Sequence, residues 1–448
     1  MHIRRPHRRG AVLVALVALL WGQPAAVGAS EAPPAHGFVG AEVQPVSLEQ
    51  GRALGLSGGA GVFVRDLLAW GPAYGAGIRR GDVLTAYDGV AVSGLAQVVA
   101  LVQARKPGDR VSATVHRRGE TLPVVVTLDA FPAGWGLETE RMAVVPRLGL
   151  RLRALTPKAR EEAAVRWGST GLLEAAVAAG SPAARAGLQA GDLVVAADGV
   201  PLSDPSVADT ALTAASLLLV EGVRGYRAVA LDGRALPPPT AAAGASWQPL
   251  PDGSLMVLDV THDSAAAAAG LRPGEVARRL GDAKGEAIAG RLSVRGLGGG
   301  EREIILAAEA PTLTEPQARP IPALKATVAA LSPAVVSRFA LRPSARGVVV
   351  TDTEPGGAAA VVGLRPGLVV VAVDQQPVTT PAEAAAALAA AERRGTAEAV
   401  LLIEGAQGFR ILSLPLRGAL ATGGVPTPPP APAVAPLLDW KPAAPVEQ

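Results

Sequence analysis

Cysteine is absent from this 448-residue chain, which excludes disulfides, thiolate metal sites and Cys nucleophiles. Aromatic residues are scarce at 3%, against 52 Gly and 39 Pro. That balance favours several small, turn-rich units with Val, Leu and Ala cores over one large enzyme core. Acidic residues are missing from the first 29 positions, which hold Arg4, Arg5, Arg8 and Arg9. Setting those four aside reduces the 42 basic residues to 38 against 39 acidic ones, a net charge of −1. Such a near-neutral remainder has no basic footprint for nucleic acid. Beyond the first residues no apolar run approaches the roughly 18 needed to cross a bilayer, so the mature chain is expected to lack a stable membrane span.

What stands at the start is more specific. The Arg pairs precede an apolar run from Ala11 to Trp21, and small residues follow up to Ala29. Val27-Gly28-Ala29 offers the small side chains that a signal peptidase requires. The three-part pattern predicts an export signal over 1–29 and a periplasmic or secreted mature protein. An uncleaved anchor is the alternative, and the Arg pairs also suit a twin-Arg route.

Self-comparison organises the rest. Gly77-Ile78-Arg79-Arg80-Gly81-Asp82 recurs as Gly187-Leu188-Gln189-Ala190-Gly191-Asp192, as Gly270-Leu271-Arg272-Pro273-Gly274-Glu275, and as Gly363-Leu364-Arg365-Pro366-Gly367-Leu368. The spacing is domain-sized. An apolar strand and a small-residue turn precede three of the copies: Val62-Phe63-Val64 with Gly71-Pro72-Ala73, Leu172-Leu173 with Ser181-Pro182-Ala183, and Val348-Val349-Val350 with Glu354-Pro355-Gly356. The pattern predicts strand, one-turn helix, tight turn and buried strand, with turns at Asp88-Gly89 and Asp198-Gly199. A longer helix is expected near Leu95–Ala104 and over Ala382–Arg393, followed by paired closing strands. Ser47, Thr156 and Ser332 are placed to cap short helices, with Pro157 and Pro333 at the first helical position. The third copy is the outlier. Leu236-Pro237-Pro238-Pro239 and an Ala-Gly stretch stand where its upstream strand is due, and little chain separates Gly274 from Leu292. It reads as truncated, without the upstream strand or the long helix.

This order resembles the PDZ domain, in the circularly arranged form found in Do-type (HtrA-like) periplasmic serine proteases. The resemblance covers most of Gly37 to Leu416 and implies an α+β fold. It would be a tandem array of small, partly open β-barrels, each with one short and one long helix. The units are expected at 36–130, 143–234, 245–309 (truncated) and 319–417. A Pro-rich tail over 418–448 cannot bury enough apolar surface to order itself; Leu437, Leu438 and Trp440 stand out within it.

The resemblance implies peptide capture by β-augmentation, with a C-terminal carboxylate held on backbone N–H groups of a Gly-containing loop. The loop positions are Phe38-Val39-Gly40-Ala41 in the first unit and Leu148-Gly149-Leu150 in the second. The fourth reads Pro322-Ala323-Leu324, without Gly. Leu95 and Val99, one helical turn apart, are candidates to line the first groove. Expected partners are protein C-termini and unfolded or envelope proteins, with a separate Do-type protease as an alternative partner.

No catalytic site is legible. The protease domain that precedes the first unit in the resembling family is expected to have no counterpart here, with seven residues between Ala29 and Gly37. Of the mature histidines, His36, His116 and His262, none lies in a triad pattern, because adjacent His262-Asp263-Ser264 side chains point apart. There is no HExxH, Gly298-Gly299-Gly300 lacks the Lys-Ser/Thr of a phosphate loop, and the lysines sit at turns, helix starts or the tail. The sequence implies no metal, no cofactor and no enzyme.

Overall fold

The computed structural model describes residues 36–56, 61–132, 135, 139–261, 264–280, 288–308 and 318–416. The export signal, the Pro-rich tail, His262, Asp263 and Lys284 lie outside them. The repeated motifs build four antiparallel sheets, one per copy. In the first the spatial order is Ala41–Pro45, Val62–Leu67, Val83–Tyr87, Arg110–Arg117 and Glu120–Thr127. The corresponding strands of the second are Leu150–Ala154, Leu172–Val177, Leu193–Ala197, Leu217–Gly222 and Gly225–Ala230. The fourth repeats them as Ala326–Ala330, Val348–Thr353, Val369–Val373, Glu398–Gly405 and Gly408–Pro415.

Local chemistry explains the elements. Ser47, Thr156 and Ser332 cap the helices Leu48–Ala53, Pro157–Glu162 and Pro333–Arg338 by accepting from the backbone N–H three residues on. The longer helices are Leu95–Gln103, Ala208–Ala214 and Pro381–Arg394. The last is fixed by a Thr380–Glu383 capping box and a left-handed Gly395. The acid of the repeat also has a defined task. Asp82 accepts from the Arg79 N–H at 2.8 Å and from Arg117 at 2.6 Å, while Arg117 also donates to the Gly77 carbonyl. Asp192 with Arg227 and Glu275 with Arg302 make the same clasp. Where the fourth copy has Leu368, Arg410 keeps only the bond to the Gly363 carbonyl.

The third unit corrects the sequence reading. Its upstream strand exists: Ala245–Pro249 pairs with Leu255–Val260, and Thr240–Ala242 pairs with Ala245–Pro249 in turn. The Pro run ends just before Thr240, and Trp247, fully buried, anchors the strand. What the unit replaces is the short capped helix, by a tight turn closed by the Leu250 N–H on the Ser254 carbonyl. Strands Val276–Arg279 and Gly290–Arg295 pair directly, and no long helix joins them among the described residues.

The units pack as two equivalent halves. Arg166 of the second reaches Glu404 of the fourth at 2.9 Å, and Arg342 of the fourth reaches Glu221 of the second at 2.6 Å. Gly408 lies against Arg166 and Asp66, as Gly225 lies against Arg342 and Asp259. The first unit buries Phe63 and Val83 against Leu402 and Ile411 of the fourth. The third matches this with Met256 and Val276 against Leu219 of the second. These equivalences define a pseudo-two-fold relation between units one-two and three-four. A cavity of about 650 Å³ at the junction is lined by residues of all four.

Candidate functional site

The site is built where the loop preceding Ala41–Pro45 meets the one-turn helix Pro72–Gly75. The Ala73 N–H donates to the Val39 carbonyl at 3.0 Å, and the Leu68 N–H donates to the Gly40 carbonyl at 3.1 Å. In a trans peptide the N–H points opposite to the preceding C=O. Tying these two carbonyls inward therefore turns the N–H groups of Gly40 and Ala41 outward. The bend needs φ of +72° at Gly40, and its Cα sits so close to Gly71 that an added Cβ would come within 3.1 Å of the Gly71 Cα. Glycine is required there both by conformation and by approach.

The same two ties recur in every unit. Ala183 and Ala178 hold the carbonyls of Leu148 and Gly149, Ala266 and Thr261 those of Ala243 and Gly244, and Ala359 and Glu354 those of Leu324 and Lys325. The left-handed position is Gly149 at +71°, Gly244 at +73° and Lys325 at +50°. The fourth loop thus keeps the shape without the glycine. Sequence comparison missed this because the signal there is φ, not residue type.

What differs is the outer edge. Ala41–Pro45 is the terminal strand of its sheet, and among the described residues nothing pairs along its far side. No hydrogen bond of the Gly40 N–H is present among them either. Helix Leu95–Gln103 packs beside this strand; Leu95 is 38% and Val99 43% exposed.

PDZ-domain family profiles match residues 37–128, 175–218 and 331–404. The chain thus contains three PDZ domains. The chain is 32% identical over 167 residues to the Chlamydia trachomatis protein named probable periplasmic serine endoprotease DegP-like, covering 37% of this chain and 33% of that one. It is 27% identical over 160 residues to the periplasmic pH-dependent serine endoprotease DegQ of Escherichia coli, covering 36% and 33%. The chain thus spans about a third of the length of these curated relatives. Among solved structures, the HtrA-type protease AlgW with decapeptide is 29% identical over 22% of this chain and 30% of that one, with a TM-score of 0.20. The HtrA3 PDZ domain bound to a phage-derived ligand is 15% identical over 21% and 86%, with a TM-score of 0.19.

Within the first PDZ unit the predicted residues divide. Val39, Gly40 and Ala41 form the loop. Phe38 has a different part: it is buried, bridged to Asp129, and packed against Phe131 at 5.0 Å and Trp135 at 5.5 Å. It fixes the path by which the chain reaches the loop. The loop of the second PDZ unit is Leu148, Gly149 and Leu150. The N–H groups of Leu148 and Gly149 both donate to the Val145 carbonyl, at 3.1 and 3.0 Å, and Leu150 pairs with Val145. Two of the histidines have defined packing contacts. His116 is buried with Nε2 3.0 Å from the Leu54 carbonyl, and His36 stacks edge-on against Phe131. Ser264 caps helix Ala265–Ala268 and donates to the Thr261 carbonyl at 2.6 Å. Among the described residues no helix is long and apolar enough to cross a membrane.

Proposed function

We propose that this protein is an exported, non-catalytic peptide-binding scaffold, built on partly open barrels, that captures extended protein C-termini on its first PDZ unit. The observation that carries this reading is the outward-turned N–H pair of Gly40 and Ala41 at the end of the unpaired edge of Ala41–Pro45. An incoming strand adds its main-chain bonds to that edge and sets its carboxylate on the loop amides, while Leu95 and Val99 receive apolar side chains. The affinity expected of a short, flexible peptide is on the order of micromolar, about −8 kcal/mol.

A second reading is favoured by the periplasmic serine endoproteases among the relatives: delivery of captured chains to a separate Do-type protease. Export rests on the Arg-rich start and Val27-Gly28-Ala29, with cleavage near Ala29 leaving an N-terminus close to Ser30. Intact-mass measurement of the periplasmic protein tests it, and an uncleaved Met1 in the cytosol refutes it. Capture is tested with a C-terminal peptide library on the mature chain. The best sequence should bind with a free carboxylate and lose at least about tenfold as its C-terminal amide. Equal binding of acid and amide would remove the loop from the mechanism.

A further inference from the structure

Of the four grooves, three already hold a strand. In the second unit Met142–Val145 runs antiparallel to Leu150–Ala154 along its outer edge, with Val145 at the loop end. That is the direction and place of a bound peptide whose C-terminus meets the loop. The Val145 carbonyl sits on the N–H of Gly149, the amide equivalent to Gly40. In the fourth unit Arg319–Ile321 lies along Ala326–Ala330, and the Leu324 and Lys325 N–H groups go to the carbonyls of Ile321 and Pro322. In the third unit Thr240–Ala242 lies along Ala245–Trp247. Val145 is 0% and Ile321 2% exposed.

The helices report the same difference. Val92, Leu202 and Val378 occupy equivalent positions, each donating its N–H to the strand residue before the turn, Thr85, Val195 and Val371. Counting three residues on gives Leu95, Pro205 and Pro381. Pro205 and Pro381 are buried where the helix start packs on the added strand, whereas Leu95 is exposed. Among the described residues the first unit's edge is unfilled, and the chain there arrives from another side. Gly37 bonds to the Arg105 carbonyl and Phe38 bridges Asp129, which holds the incoming segment off the edge of Ala41–Pro45.

We propose that the strands Met142–Val145, Thr240–Ala242 and Arg319–Ile321 are intramolecular ligands that close the second, third and fourth grooves, so that this four-unit chain presents a single peptide site. This rests on the reading of the first unit as a peptide binder, but it makes a separate statement about the other three. A covalently attached strand has an effective concentration in the millimolar range or above, which a micromolar peptide does not displace.

Two measurements test it on the full mature chain. The first needs no ligand: amide hydrogen exchange should be at least about 100-fold slower at Gly149 and Lys325 than at Gly40. Comparable exchange at all three would overturn the proposal whether or not any peptide binds. The second uses the peptide acetyl-Glu-Arg-Met-Ala-Val-Val with a free carboxylate, which copies residues 140–145. Titration should give one site per chain, lost in the double variant Leu95→Asp, Val99→Asp, whose positions are exposed and leave the core intact. Two or more sites, or binding that survives the double variant, would overturn the single-site proposal while leaving peptide capture standing. If neither this peptide nor any library member binds, the capture reading fails, and the exchange measurement still decides whether the other grooves are closed.

Discussion

Glu174 occupies the second unit's version of a position that is Val64, Val257 and Val350 elsewhere. In all four the backbone N–H donates to the residue at the repeat's acid position, Asp82, Glu275, Leu368 or, here, Asp192. Glu174 is 1% exposed, and neither carboxylate oxygen has a partner. Burial first, then the neighbouring charge of Asp192, pushes its pKa from 4.5 up to about 9, with Arg227 opposing. The folded state therefore keeps a proton that the unfolded chain releases above pH 4.5, so stability falls as pH rises. There is no penalty below pH 4.5; it grows by about 1.4 kcal/mol per pH unit and levels off above about pH 9. At pH 7 it amounts to about 3 kcal/mol. Glu174→Gln removes the titration while keeping the shape. In urea denaturation from pH 5.5 to 8, its stability relative to the parent should rise by about 3 kcal/mol. Glu174→Val should gain further at every pH, since it also removes two unpartnered buried oxygens. A difference between Gln variant and parent that stays flat with pH would refute a neutral, buried Glu174.

Arg117→Ala leaves Asp82, 1% exposed, without its counter-charge, and should cost about 3 kcal/mol in urea denaturation; a loss under 1 kcal/mol would show the clasp to be dispensable. Arg342→Met strands Glu221 at the centre and should cost about 3 kcal/mol or more. The same assay should show a smaller m-value or a second transition, because one of the two ion pairs that join the second and fourth units is lost. Gly40→Ala should lower stability by about 1–2 kcal/mol, since φ is +72° and the Gly71 backbone cannot yield. Binding losses in that variant thus mix folding with capture, and full stability would contradict the geometry.

The sequence by itself determined the number of repeats, most of their strands and the position of the first unit's left-handed Gly40. Those features are local: a capping Ser or Thr, a Gly at a left-handed turn, an alternating apolar strand, each repeated at domain spacing. The repeated acid was legible as a motif, but its task was not, because its Arg partner lies on the last strand of the unit. The third unit's upstream strand was hidden for a related reason. Ala245-Ser246-Trp247-Gln248 alternates apolar and polar residues, but the stretch is short and follows a Pro run and an Ala-Gly segment, and pairing on both sides is what makes it a strand. Which sheet edges carry an added strand among the described residues was decided by tertiary structure alone. Residues 142–145 and 36–39 both read as short segments ahead of a Gly-containing loop. One pairs with the following strand, and the other is drawn away by Asp129, Phe131 and Trp135, contacts distant in sequence that no local pattern encodes.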